Sequence, residues 1–260
     1  MTSVIDIKDV SWKRQRKTIL SNVSWEVTRG EHWAVLGLNG SGKTTLLNMI
    51  NGYIWPTTGK VSVLDHPFGK TDIRELRKSI GWVSSSLQER IKGTSYAEDV
   101  VVSGKYASIG LYEDPTEKDF QRAVQLMDQL GCSYLEGRTY QTCSQGERQK
   151  ILIARGLMAQ PELLILDEPT NGLDFMSRED LLNTINQLAM QEDAPTIIFV
   201  THHIEEILPV FSHTLLLQNG SVFNYGNSRT VLTSERLSDF FATPVQIDWR
   251  KDRPWMTLKN

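Results

Sequence analysis

Gly37-Leu-Asn-Gly-Ser-Gly-Lys-Thr44 decides how the rest of the chain is read. It matches Gly-x-x-x-x-Gly-Lys-Ser/Thr at every fixed position, the pattern of a phosphate-binding loop. Each fixed position has a mechanical reason. Glycines allow backbone N–H groups to converge on phosphate oxygens, and a helix starting at Lys43 turns its positive end toward them. Lys43 is expected to reach the β- and γ-phosphates, and the Thr44 hydroxyl to complete the coordination of Mg2+. With glycine near 7% of residues, a chance match in a chain of this length has odds of roughly one in a hundred. Gly37, Leu38, Asn39, Gly40, Ser41, Gly42, Lys43, Thr44 and Thr45 are therefore expected to hold the phosphates of ATP with its Mg2+.

The flanks have the order such a loop requires. Residues 33–36 are an apolar run entering the turn, and residues 43–50 have helical spacing. Upstream, residues 4–10 and 19–27 carry strand-forming residues around a basic connector, 13–17, which predicts an opening antiparallel segment. Downstream, residues 61–64 and 81–83 read as strands, followed by about seventy residues of helical pattern. Phe120, Ala123, Val124, Met127 and Leu130 lie on one helical face. A further helix is expected over 147–159, stopping before Pro161.

Residues 163–166 and 196–200 are apolar without alternation, as parallel strands buried on both faces are. Leu181, Leu182, Ile185 and Leu188 between them keep helical spacing, completing a β-α-β unit. Asp167 and Glu168 follow the first of these strands, at the edge where ligands of an open α/β sheet bind. Asp167 is suited to bind magnesium through water, and Glu168 to orient or deprotonate an attacking water. Asn219-Gly220 marks a hairpin turn between 215–217 and 222–225. Beyond residue 227 come an amphipathic helix candidate and a tail containing Trp249, Pro254 and Trp255, to which the pattern assigns no element.

Composition sets the remaining bounds. The 260 residues carry a formal charge of −3, which gives no bulk electrostatic reason to expect nucleic acid or an anionic membrane as the main partner. Cys132 and Cys143 lack metal-ligand spacing and suit a reducing compartment. No apolar stretch approaches the ~20 residues of a membrane helix, and no basic-then-apolar leader is apparent, so the expected location is the cytoplasm.

At Cys143-Ser-Gln-Gly-Glu-Arg-Gln149 the chain resembles the ABC ATPase family, whose signature usually reads Leu-Ser-Gly-Gly-Gln. The order of phosphate loop, signature and carboxylate strand matches, Asn171-Gly-Leu-Asp174 looks like the family's D-loop, and Thr201-His202 looks like its switch histidine. The resemblance runs from about residue 4 to residue 225. It implies an α/β P-loop NTPase of ABC type, with a mixed central sheet, an N-terminal antiparallel β region and an inserted helical subdomain near 86–160. The cassette would occupy 1–226, leaving 227–260 as an extension. GTPases fit less well, since their Asn-Lys-x-Asp motif is absent.

The resemblance also implies a dimer. Ser144, Gln145, Gly146 and Glu147 at a helix start would face the γ-phosphate of ATP held by a second subunit, identical or homologous. Lys43, Glu168 and His202 would be catalytic, and Asp174 would belong to the D-loop. Magnesium would be held by Thr44, Asp167 and a glutamine. The family places that glutamine where Ser85 stands, which leaves Gln88 or Ser85 for the role. The base-stacking position falls on Arg14, with Trp12 as its rival; a guanidinium plane stacks on a base as an aromatic ring does. The function implied is that of the ATP-hydrolysing subunit of a transporter, at the cytoplasmic face of a membrane beside separate transmembrane permease subunits. The alternative is a soluble ABC ATPase acting on a nucleic acid, a ribosome or an assembly complex.

Overall fold

Strands that are apolar at every position need cover on both faces, while strands with polar ends run out into solvent, and both kinds occur here. The computed structural model describes residues 3–106, 108–111 and 114–259. These form two compact units, one made of the chain up to Leu76 together with the chain from Thr196 onward, the other Arg77–Pro195.

The first unit opens with an antiparallel pair, β1 (Ser3–Arg14) and β2 (Lys17–Thr28), in register at Ile7 with Trp25 and Arg14 with Lys17. The basic connector expected over 13–17 is shorter than that. Lys13 pairs with Thr18, and only Gln15 and Arg16 form the turn, both with left-handed backbone (φ 47° and 68°) as a type I′ turn requires. The polar strand ends lie in solvent, so no hydrophobic alternation marks them. β3 (Trp33–Leu36) is buried at all four positions and leads into α1 (Lys43–Ile50). β4 (Thr58–Val63) pairs with β1, and β5 (His66–Pro67) pairs with β4. α2 (Ile73–Lys78) ends this stretch.

The second unit holds β6 (Ile80–Ser84), which runs parallel to β7 (Leu163–Asp167) in the register Ser84 to Asp167. Between them lie α3 (Ser85–Gln88), α4 (Ala97–Ser103), α5 (Glu117–Gln129) and α6 (Gln145–Leu157). After β7 comes α7 (Phe175–Ala189). Ala123, Leu126 and Met127 of α5 are buried, with Leu130 just beyond it. Phe120 and Val124 are half-buried, so the inner face is rotated toward Leu126. α6 begins and ends two residues before the expected span, because Ser144 caps its first turn and Gln160, with φ 51°, follows its last. Cys132 and Cys143 are buried free thiols, and burial pushes Cys132 up to about 12.

The chain then returns to the first unit. β8 (Thr196–Thr201) and β9 (His213–Gln218) flank β3 on either side, both parallel to it, with Val35 opposite Val200 and Leu215. β10 (Ser221–Asn227) folds back antiparallel on β9 through Asn219 and Gly220, both left-handed. The tail is ordered as α8 (Ser228–Val231), α9 (Ser234–Phe241) and a hairpin of β11 (Val245–Arg250) with β12 (Arg253–Leu258). No helix among the described residues is long and apolar enough to cross a membrane.

Candidate active site

The loop between β3 and α1 is shaped by its glycines. Gly40 and Gly42 have φ of 81° and 106°, and Gly42 caps α1 with no side-chain help. A Cβ on Gly37 would lie 2.5 Å from Ser41 Oγ and 2.7 Å from the Leu217 carbonyl, and one on Gly42 would lie 2.9 Å from Leu20 Cδ2. Those approaches leave no room for a side chain on the loop's inner wall. The loop is also tied from outside its own sequence, since Gly220 N–H donates to the Ser41 carbonyl at 2.8 Å. The hairpin turn after β9 thus braces the phosphate loop, an arrangement that no local sequence pattern signals.

Lys43 is 6% exposed, and its Nζ donates to the Gly37 carbonyl at 2.6 Å and the Leu38 carbonyl at 3.3 Å. The ammonium is thereby held over the loop. Leu38, Asn39, Gly40 and Thr44 are exposed and Thr45 is half-buried. The loop therefore offers a concave run of backbone, a fixed positive charge and a hydroxyl at a helix start, a set that suits a polyphosphate and its hard cation.

Other expected site residues of this unit lie at strand ends. Arg14 is the exposed last residue of β1, and Trp12 sits half-buried opposite Leu20. His202 follows β8. Its ring lies 4.1 Å from that of His203, centroid to centroid, and His203 Nδ1 lies 3.6 Å from Glu205 Oε1. Below them the Thr201 hydroxyl donates to Glu206 Oε2 at 2.6 Å and accepts from His203 N–H at 3.0 Å.

In the second unit, Asp167 ends β7 and Glu168 follows with φ 50°, a left-handed backbone that glutamate rarely adopts. Asn171 N–H closes the turn on the Glu168 carbonyl at 3.2 Å. Such strain collects where a turn must aim a side chain. Asp174 caps α7, accepting from Ser177 N–H at 3.0 Å and Ser177 Oγ at 2.6 Å, and these bonds hold its carboxyl below the usual carboxylate range.

Ser144 caps α6 in a reciprocal box. Its Oγ accepts from Glu147 N–H at 3.3 Å, while Glu147 Oε2 accepts from Ser144 N–H at 2.6 Å. Burial alone raises the Glu147 carboxyl. The bonds from Ser144 and Tyr134, with the charge of Arg138, outweigh it and leave the group below its ordinary value. Gly146 lies in the first turn, where a Cβ would meet Ser177 only at ordinary van der Waals distance.

Gln88, the glutamine nearest to the Ser85 position where the family places a metal ligand, ends α3 and joins the signature helix. Its Nε2 donates to Gln145 Oε1 at 3.0 Å, and its Oε1 accepts from Gln149 Nε2 at 3.2 Å and Gln145 Nε2 at 3.4 Å. Ser85 is the first residue of α3, behind the capping Ser84. Nothing in the spacing of three glutamines signals this cluster, which depends on where the helices pack. Among the described residues no group of three or more His, Cys, Asp or Glu is placed to hold a metal by itself.

The family model described as ABC transporter matches residues 20–171, from within β2 to the turn that follows β7. The ABC transporter ATP-binding protein YlmA of Bacillus subtilis is 50% identical over 255 residues, covering 98% of this chain and 97% of that one. The molybdate import ATP-binding protein MolC of Haemophilus influenzae is 31% identical, with 94% and 90% covered. Among solved structures, cbiO1 of Clostridium perfringens, part of the ABC transporter complex cbiONQ, superposes with a TM-score of 0.78 at 26% identity, covering 92% of this chain and 94% of its own.

Proposed function

The chain belongs to the ABC transporter family, and on that premise we propose that it hydrolyses Mg-ATP in a head-to-tail dimer and so drives separate membrane permease subunits. ATP binding and hydrolysis belong to the family as a whole. The observation that carries the reading to particular residues is Lys43, whose ammonium lies on the Gly37 and Leu38 carbonyls inside a loop of left-handed glycines.

The loop N–H groups and Lys43 bind and orient the β- and γ-phosphates of ATP, with Arg14 against the base. The Thr44 hydroxyl, and Asp167 through water, would hold a magnesium ion, since a hydroxyl and a carboxylate are the hard oxygen donors it prefers, and when bound it would supply positive charge against the phosphates. Glu168 takes a proton from water as the water oxygen bonds to the γ-phosphorus and the bond to the β-phosphate oxygen breaks, giving ADP and phosphate. His202 hydrogen-bonds the γ-phosphate. Ser144, Gln145, Gly146 and Glu147 do the same from the other subunit, through a hydroxyl, backbone donors and the helix dipole. Closing on ATP and opening after hydrolysis supply the mechanical work at the cytoplasmic face of the membrane. The transporter relatives do not favour the soluble alternative acting on a nucleic acid, a ribosome or an assembly complex.

Lys43→Ala tests the phosphate loop directly. Calorimetric titration with Mg-ATP should show affinity falling about a hundredfold, the equivalent of ~3 kcal/mol of charge-assisted hydrogen bonding. Undiminished affinity would remove the basis of the assignment.

A further inference from the structure

Residues 202–212 connect β8 to β9 with a single short 3-10 turn, Ile204–Glu206. A connection of that kind is mobile unless something ties it down. From below it is tied by its own side chains, since Ile204, Glu206 and Ile207 are buried and Glu206 accepts from the Thr201 hydroxyl. From the other side it is met by the C-terminal hairpin. Arg253, the first residue of β12, donates through Nε to the Glu205 carbonyl, and its guanidinium lies 5.4 Å from the centre of the Trp255 ring.

The hairpin is built to hold that end still. Lys251 and Asp252 turn it with left-handed backbone at both positions. Asp252 pairs with Arg229 of α8, whose guanidinium also lies 3.9 Å from the centre of the Trp249 ring. Ile247 N–H donates to Ser234 Oγ, and Val245 N–H to Ser238 Oγ, both at 2.9 Å, binding β11 to α9. Pro254 is buried, whereas Trp255, Met256 and Leu258 further along β12 are 36%, 38% and 71% exposed. The hairpin is thus fastened at both ends, by Val245 and Ile247 on α9 and by Asp252, Arg253 and the buried Pro254 at the turn end that touches Glu205.

From Glu205 the chain of neighbours continues to the site. Its carboxylate faces the His203 imidazole at 3.6 Å, and the His203 ring lies against that of His202 at 4.1 Å. We propose that Arg253 is a positioning residue for ATP hydrolysis: the C-terminal hairpin, through Glu205 and His203, sets the direction in which His202 points. The proposal rests on the reading of His202 as the γ-phosphate partner. It gives the extension a part in the reaction, through a backbone carbonyl rather than through charge on the nucleotide. An arginine suits the place because one planar group both donates to a carbonyl and lies against a ring.

Steady-state ATPase measurements on the full chain, with four variants, test it. Arg253→Ala should lower kcat roughly five- to twentyfold with KM for ATP within about twofold, as expected when the change weakens an interaction made in the transition state and spares ground-state binding. Arg253→Lys should recover part of that rate. In His202→Ala background, Arg253→Ala should cost nothing further, because the residue it positions is gone. Independently of turnover, the imidazole resonances of His202 and His203 should shift in the Arg253→Ala protein. Where Arg253→Ala does not fold, Arg253→Gln, which keeps the stem and a donor, carries the same comparison. A slow His202→Ala with Arg253→Ala at the wild-type rate overturns the hairpin's role alone, as do multiplied losses in the double variant. His202→Ala at the wild-type rate overturns the reading of His202 beneath it.

Discussion

A serine at position 144 has two tasks that separate experimentally. Its Oγ accepts from Glu147 N–H and so caps α6, and in the proposed dimer the same hydroxyl reaches the other subunit's γ-phosphate. Ser144→Ala should therefore lose about 1 kcal/mol of stability with the cap. It should also lower the ATPase rate while leaving ATP affinity in the chain's own loop unchanged. Ser144→Thr keeps the capping oxygen and should restore the melting temperature. Thermal denaturation beside ATPase assays separates the two effects, and full activity in Ser144→Ala would remove Ser144 from the site. Glu168 differs in kind, because its left-handed backbone is set by the turn closing at Asn171. A glutamine there keeps the shape and loses only the base.

Elements show why some features are legible in one dimension and others are not. β3 and α1 have the bounds the sequence predicts, because a four-residue apolar run, a glycine loop and helical spacing follow one another without overlap. The β9–β10 hairpin is legible through Asn219-Gly220, residues that favour left-handed backbone. The β11–β12 hairpin uses the same backbone at Lys251 and Asp252, residues that advertise nothing, so the tail's sequence marks no element. The site divides in the same way. Residues at the ends of well-marked elements, such as Lys43, Asp167 and Glu168, stand out from spacing, and Ser144 from the resemblance of its motif to a family signature. The pairings of Gln88 with Gln145, of Gly220 with Ser41 and of Arg253 with Glu205 join segments far apart in sequence and have no local pattern.

α5 carries a pH dependence of its own. Asp119 accepts from Lys105 Nζ at 2.7 Å and from Thr116 N–H at 2.9 Å, and these bonds hold its carboxyl at about 2, below the ordinary 3.8. A depressed carboxylate contributes stability above its unfolded value and loses it as pH falls toward the folded one. Acid denaturation of the wild-type chain should thus steepen between about pH 4 and pH 2. Asp119→Asn should flatten that limb when unfolding is followed by circular dichroism. An unchanged acid profile would deny the pair any part in holding α5.

Across the whole molecule, one chain carries one phosphate loop and one signature serine. In the proposed dimer, a γ-phosphate gripped from both sides needs two such chains. Part of each proposed site comes from a helix start, with Ser144 exposed at the N-terminus of α6. The hairpin that sets His202 would act within each half. Hydrolysis would end the closed state, so a chain that binds ATP and hydrolyses it slowly should stay closed.

Glu168→Gln is that chain. Light scattering on the purified variant, with and without saturating Mg-ATP, measures the mass of the assembly directly. A monomer is expected without nucleotide and twice that mass with it, reverting as ATP is exchanged for ADP. A Glu168→Gln protein that binds Mg-ATP yet keeps the mass of one chain, or turns ATP over at the wild-type rate, would contradict the composite site.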